Sequence, residues 1–69
     1  MANKYHILVL RDNDGEWFLE FGAYDKGDVR EEQRYYRNLY AAKNMQIISL
    51  DSEDYSVIHD AVAALNKRK

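Results

Sequence analysis

The residues with the clearest chemical potential are three arginines at helical spacing. Arg30, Arg34 and Arg37 are separated by four and then three residues, so in a helix they lie on one face. A guanidinium group is a planar donor that fits carboxylates and phosphates. Neighbouring tyrosines such as Tyr35 and Tyr36 could stack on nucleic-acid bases, but Tyr and Arg together also dominate protein interfaces. A solvated helix face beside core aromatics is the plainer interpretation.

Acidic residues form the second candidate surface. They are Asp12, Asp14, Glu16 and Glu20. This block could bind a basic protein surface, whereas the arginines could bind an acidic one. The formal net charge is -2, and nucleic-acid-binding domains usually carry a net positive charge. A protein partner is therefore expected, with nucleic acid at Arg30, Arg34 and Arg37 as the alternative.

Catalytic and cofactor motifs are not found in the sequence. There is no cysteine, and His6 and His59 occur without the neighbours that a catalytic triad or a metal site requires. His6, inside a strand, is expected to be packed or to lie at an edge, and His59 is expected to be exposed. No glycine-rich phosphate-binding loop occurs. We predict a protein that is not an enzyme and that has no cofactor and no metal site.

The compartment and the number of domains follow from composition and length. The longest apolar run covers residues 7–10, far below the roughly 20 residues that span a bilayer. The lack of cysteine is typical of a reducing compartment, so a cytoplasmic protein without membrane association is expected. A chain of 69 residues forms one domain, here 1–69, since it buries only about 60% of its unfolded surface.

Two strands are predicted in the first third of the chain. Residues 5–10 are apolar at nearly every position, as in a strand that is covered on both faces. A turn follows at residues 12–15, where Asn, Asp and Gly favour a hairpin. From Glu16 onward the pattern alternates and predicts a second strand with Trp17, Leu19, Phe21 and Ala23 on one face.

A helix, a strand and a second helix are predicted in the remainder. Asp28 and Glu31 form a capping-box pattern, and the helix is expected over 29–43. Its apolar face, directed at the sheet, would contain Val29, Tyr35, Tyr36, Leu39 and Tyr40. A third strand is expected over 45–50 and a second helix over 53–66, because apolar residues recur there at helical spacing.

These elements predict an α+β domain with the order ββαβα. A right-handed crossover makes the third strand parallel to the second, and a central first strand gives the sheet order 2-1-3 with two helices packed on one face. The order 1-2-3 would place Glu16 and Glu20 in a central strand, which argues against it. The free sheet face could then bind a partner, form a homodimer or remain exposed.

Several short segments carry a family resemblance. They are Asp14-Gly15-x-Trp17, Glu20-Phe21-Gly22-x-Tyr24-Asp25, Val29-x-x-Glu32 and Ala61-x-x-Ala64-Leu65-Asn66. The layout resembles a family of small uncharacterised proteins encoded by phages and prophages, for which no activity is established. The resemblance implies an accessory protein in the cytoplasm of a bacterial host that binds a host protein. Inhibitors of host defence systems, such as anti-CRISPR proteins, belong to this class.

Overall fold

The computed structural model describes residues 4–67. The elements are β1 (Tyr5–Arg11), β2 (Trp17–Ala23), α1 (Lys26–Tyr36), a short 3-10 turn (Ala42–Asn44), β3 (Met45–Leu50) and α2 (Tyr55–Lys67). The three strands form one sheet in the order β2-β1-β3, and both neighbours of β1 are antiparallel to it. The predicted α+β class, element order and sheet order are confirmed.

The β1–β2 turn is held by Asp12. Its Oδ1 accepts hydrogen bonds from the backbone N–H of Asp14 at 2.9 Å and of Glu16 at 3.0 Å. Gly15 has φ +84°, a conformation that glycine adopts without steric cost. The hairpin turn predicted over 12–15 is therefore confirmed, together with its physical cause.

A bulge in β2 changes which residues share a face. Leu8 of β1 lies opposite Phe21, but Val9 lies opposite Leu19, so Glu20 has no partner in β1. One extra residue reverses the alternation beyond it. As a result Phe18 and Phe21 pack in the same cluster, and the prediction that Phe21 shares a face with Trp17 and Leu19 was wrong.

The helices cover opposite faces of the sheet. Leu8 and Leu10 of β1 pack with Val29 of α1, whereas the alternate residues of β1, Ile7 and Val9, pack with Ile58 of α2. The prediction of both helices on one face was wrong. Successive strand residues point to opposite sides, and residues 7–10 of β1 are apolar on both, so each side of the sheet must be covered by a helix. The sheet face that was expected to be free is covered by α2.

Helix α1 is earlier and shorter than predicted. Asp25, not Asp28, is its N-cap, and the Asp25 side chain accepts a hydrogen bond from the N–H of Gly27 at 2.8 Å. The helix ends at Tyr36 instead of continuing to residue 43. After it the chain continues in turns, and the N–H groups of Leu39 and Tyr40 both donate to the carbonyl of Tyr36, at 2.9 Å and 2.8 Å. Tyr40 packs against the core cluster under α1.

Asn66 connects the end of α2 to the start of β2, and its removal gives a first testable prediction. Its Oδ1 accepts from the N–H of Trp17 at 2.7 Å, and its Nδ2 donates to the carbonyl of Trp17 at 3.2 Å. Asn66→Ala removes both bonds and should lower the free energy of unfolding by about 2 kcal/mol. Urea denaturation followed by Trp17 fluorescence measures this loss. Asn13→Ala, at an exposed turn position, is the control, and an equal loss in the two variants would contradict the role given to Asn66.

Candidate functional site

The three predicted arginines lie together on the outer side of α1. Arg30, Arg34 and Arg37 line one shallow depression of about 190 Å3, together with Gln33. Arg37 follows the last helical residue, and its N–H donates to the carbonyl of Arg34 at 3.3 Å. All three arginines are exposed. These four residues are called the arginine face below.

The arginine face is not used by the fold. Within residues 4–67, none of its three guanidinium groups has an ion pair or a hydrogen bond, and the ion pair found there joins Lys4 to Asp51 at 2.8 Å. The arginine face therefore presents three positive charges that no side chain of residues 4–67 contacts as an ion pair or hydrogen bond.

Arg11 shows how this chain uses an arginine for structure. Its Nε donates to Oδ1 of Asn44 at 2.9 Å, and its Nη2 donates to the carbonyl of Lys43 at 3.2 Å. The guanidinium also lies 5.0 Å from the ring centroid of Trp17, within cation–π distance. Arg11 therefore connects the hairpin to the segment before β3, in contrast to the arginine face.

The predicted acidic residues have different roles. Asp12 holds the hairpin turn, whereas Glu20, the bulge residue, accepts a hydrogen bond from the hydroxyl of Tyr36 in α1. Asp14 and Glu16 are exposed beside Asp12 in the hairpin. Asp12 and Glu20 are thus engaged within the fold, and the arginine face is the stronger candidate for binding a partner.

The contact between Tyr36 and Glu20 changes the ionisation of the tyrosine. The hydrogen bond to the Glu20 carboxylate, followed by partial burial and the negative charges of Glu20 and Glu32, raises the pKa of Tyr36 to about 12. Each of these causes disfavours the negatively charged phenolate. Glu20 bonds to this hydroxyl, and Glu32 acts on it through its charge.

Alkaline titration tests this contact. Because the pKa is raised in the folded state, the stabilisation from Tyr36 is complete below its unfolded value near 10 and is lost as pH rises through about 12. One of the six tyrosines should therefore titrate near pH 12 in ultraviolet difference spectra. Glu20→Gln should move that transition toward 10.

Glu53→Gln is the matched control for the titration. Partial burial, then a hydrogen bond with Glu53, raises the pKa of Tyr24, so this variant should affect Tyr24 and leave the transition near pH 12 in place. If Glu20→Gln leaves the last transition unchanged, Glu20 does not control the ionisation of Tyr36.

Two apolar or aromatic side chains predicted to face the core are exposed beside α1. Tyr35 is 66% exposed and Leu39 is 65% exposed, which corrects their assignment to the apolar face. Tyr35 contacts Tyr36 edge to face at 5.1 Å between ring centroids. The sequence reasoning also missed Gln33. Its position could have been predicted from helical spacing. Gln33 is three residues from Arg30 and four from Arg37, and residues at these spacings lie on one face of a helix.

The histidines lie on separate elements. Nδ1 of His6 in β1 is 2.7 Å from Oγ of Ser49 and shares a hydrogen bond with it. His59 of α2 is exposed, as predicted, and lies 5.9 Å from the Tyr55 ring. In the part of the chain that the structure describes, no group of three or more His, Cys, Asp or Glu side chains is placed to hold a metal ion. No helix of residues 4–67 is long and apolar enough to cross a membrane.

Comparison of the chain with protein-family models, with curated proteins and with solved structures gave no match.

Proposed function

We propose that this protein is a non-catalytic binding protein whose arginine face binds an acidic surface of a partner protein. The observation that carries the proposal is the placement of three exposed guanidinium groups around one depression, without a partner among residues 4–67. Arginine is well suited to this role because its fork of donors pairs with carboxylates and is enriched at interface hot spots.

The shape of the arginine face favours a macromolecule over a small ligand. The depression of about 190 Å3 is smaller than the roughly 300–1,000 Å3 of typical small-molecule pockets. A shallow, charged face of this kind is a surface that another protein can cover.

The charge around the arginine face favours a protein partner over nucleic acid. The net charge of the chain is -2, and α1 itself carries the exposed residues Asp28 and Glu31. These carboxylates repel a continuous polyanion but can be accommodated by a protein whose acidic groups are localised. Nucleic acid remains the competing class in the experiment below.

The phage and prophage resemblance supplies the setting of the proposal. On the basis of this resemblance we propose that the chain acts in the cytoplasm of a bacterial host and that its partner is a host protein. Inhibition of a host defence system, as by anti-CRISPR proteins, is then one consequence that binding at the arginine face would have.

Affinity capture with matched variants tests the proposal. Immobilised protein is incubated with nuclease-treated bacterial lysate, and bound proteins are identified by mass spectrometry. We expect a protein that is retained by the unmodified chain and by Lys26→Ala/Lys43→Ala, and that is lost with Arg30→Ala/Arg34→Ala/Arg37→Ala. Equal capture by the triple variant would contradict the proposed site.

Nucleic-acid binding is tested separately by fluorescence anisotropy with labelled DNA and RNA at low salt. We expect no binding. Binding that weakens steeply with salt, with a slope reduced by about 1 for each arginine removed, would replace the protein-partner proposal with the nucleic-acid alternative.

A further inference from the structure

The outer edge of β3 and one side of α2 form a second surface, distinct from the arginine face. They line a groove of about 410 Å3, formed by residues 46–49 of β3 and by Ala61, Ala64 and Leu65 of α2. None of these residues is charged, although 32% of the chain is. This surface is called the β3 groove below.

The two edges of the sheet differ in how they are protected. The β2 edge carries the bulge at Glu20, a device that discourages further strand pairing. β3 pairs with β1 in an unbroken register from Leu50 opposite Tyr5 to Met45 opposite Leu10. It contains no bulge, proline or charged residue, and no strand of residues 4–67 lies along its outer side. A regular, uncharged edge of this kind is ready to pair with another strand.

We propose that a second copy of this chain pairs antiparallel with β3 about a two-fold axis, giving a six-stranded sheet. Directly opposed residues of an antiparallel pair point to the same face, so on such an axis one residue must meet its own copy. The middle of the β3 groove is formed by Ile47 and Ile48. If the axis passes beside Ile47, or beside Ile48, that isoleucine packs against the same isoleucine of the second copy, which is a favourable cross-strand pair.

Charge complementarity along α2 favours a second copy as the occupant. The axis that pairs the two β3 strands also makes the two α2 helices antiparallel. In the sequence of α2, Asp60 precedes the residues that line the groove and Lys67 follows them. Both side chains are exposed. Each Asp60 therefore comes level with Lys67 of the second copy, which gives two symmetric attractive pairs at the rim and an uncharged interior.

This association is independent of the proposed function. Helix α1 packs on the face of the sheet opposite to α2, so pairing through β3 leaves both arginine faces exposed. The dimer would present two of them and could bind a partner with two sites more tightly through avidity.

Sedimentation equilibrium over a concentration series tests the pairing. The unmodified chain should reach twice the monomer mass, whereas Ala64→Glu, which places two carboxylates in the joined grooves, should remain monomeric. Ser56→Glu is the control, because Ser56 is exposed on α2 and does not line the groove. A monomer at every concentration for the unmodified chain, or an unchanged dimer for Ala64→Glu, would overturn the proposal.

A charge swap tests the symmetry of the interface. Asp60→Lys and Lys67→Asp should each weaken the homodimer about tenfold, since two attractive pairs become repulsive. An equimolar mixture of the two variants should restore association, because every contact is then between opposite charges. Circular dichroism confirms that each variant is folded. Failure of the mixture to associate more tightly than either variant alone would contradict the antiparallel arrangement.

Discussion

Leu8→Ala is expected to remove most of the stability of this domain. Leu8 is 0% exposed and lies in the central strand, between Phe21 of β2 and Ile47 of β3 and beneath α1. Truncation of a fully buried leucine typically costs about 2–5 kcal/mol. The total stability of small domains starts at about 5 kcal/mol, so the variant should be largely unfolded in mild urea.

Leu19→Ala is the matched control for this substitution. Leu19 lies in the same sheet but is 41% exposed, so its truncation should cost about 1 kcal/mol or less. Urea denaturation followed by far-ultraviolet circular dichroism compares the two variants. Similar midpoints would show that the core is not organised around β1.

Arg34→Gln/Arg37→Gln should weaken binding to the captured partner by about tenfold to a hundredfold. Glutamine keeps a polar side chain but removes both guanidinium charges from the middle of the arginine face. A tenfold to hundredfold loss corresponds to about 1.4–2.8 kcal/mol, which is within the range measured when residues at interface hot spots are truncated. Isothermal titration calorimetry with the partner measures the change.

Lys26→Gln/Lys43→Gln controls for the loss of charge alone. It lowers the net charge by the same two units, at exposed lysines outside the arginine face. Its affinity should stay within about threefold of that of the unmodified chain, since rim and remote charges contribute little. An equal loss in the two double variants would show that overall charge, and not the arginine face, determines binding.

The sheet could be predicted because its signals are local. Residues 7–10 are apolar without interruption, which identified β1 as the central strand, and the turn at 12–15 fixed the hairpin through Asp12 and Gly15. With a right-handed crossover, these features were sufficient for the order β2-β1-β3. Strand β3 was predicted with the bounds that the structure gives, Met45–Leu50.

The placement of the helices was wrong although the sequence contained the necessary signal. A strand that is apolar on both sides needs cover on both, and Ile7 and Leu8 point in opposite directions. Two helices on one face would have left the side with Ile7 exposed. The composition of β1 therefore favoured one helix on each face, as the structure shows.

Other features could not be predicted because they depend on tertiary contacts. The end of α1 at Tyr36 is one of them, because no glycine or proline between 36 and 43 marks it in the sequence. The contact of Glu20 with Tyr36 depends on the bulge, which sets the direction of that side chain. The arginine face was predicted from spacing alone because an exposed helix face requires only helical geometry.

Chemical-shift mapping tests the central claim most directly. The nitrogen-15-labelled chain is titrated with the captured partner, and amide shifts are followed along residues 4–67. The account predicts that the largest changes cluster on the outer side of α1 over residues 30–37, with little change in the hairpin or the β3 groove. Changes concentrated at residues 12–16 instead would show that the acidic hairpin, and not the arginine face, is the binding surface.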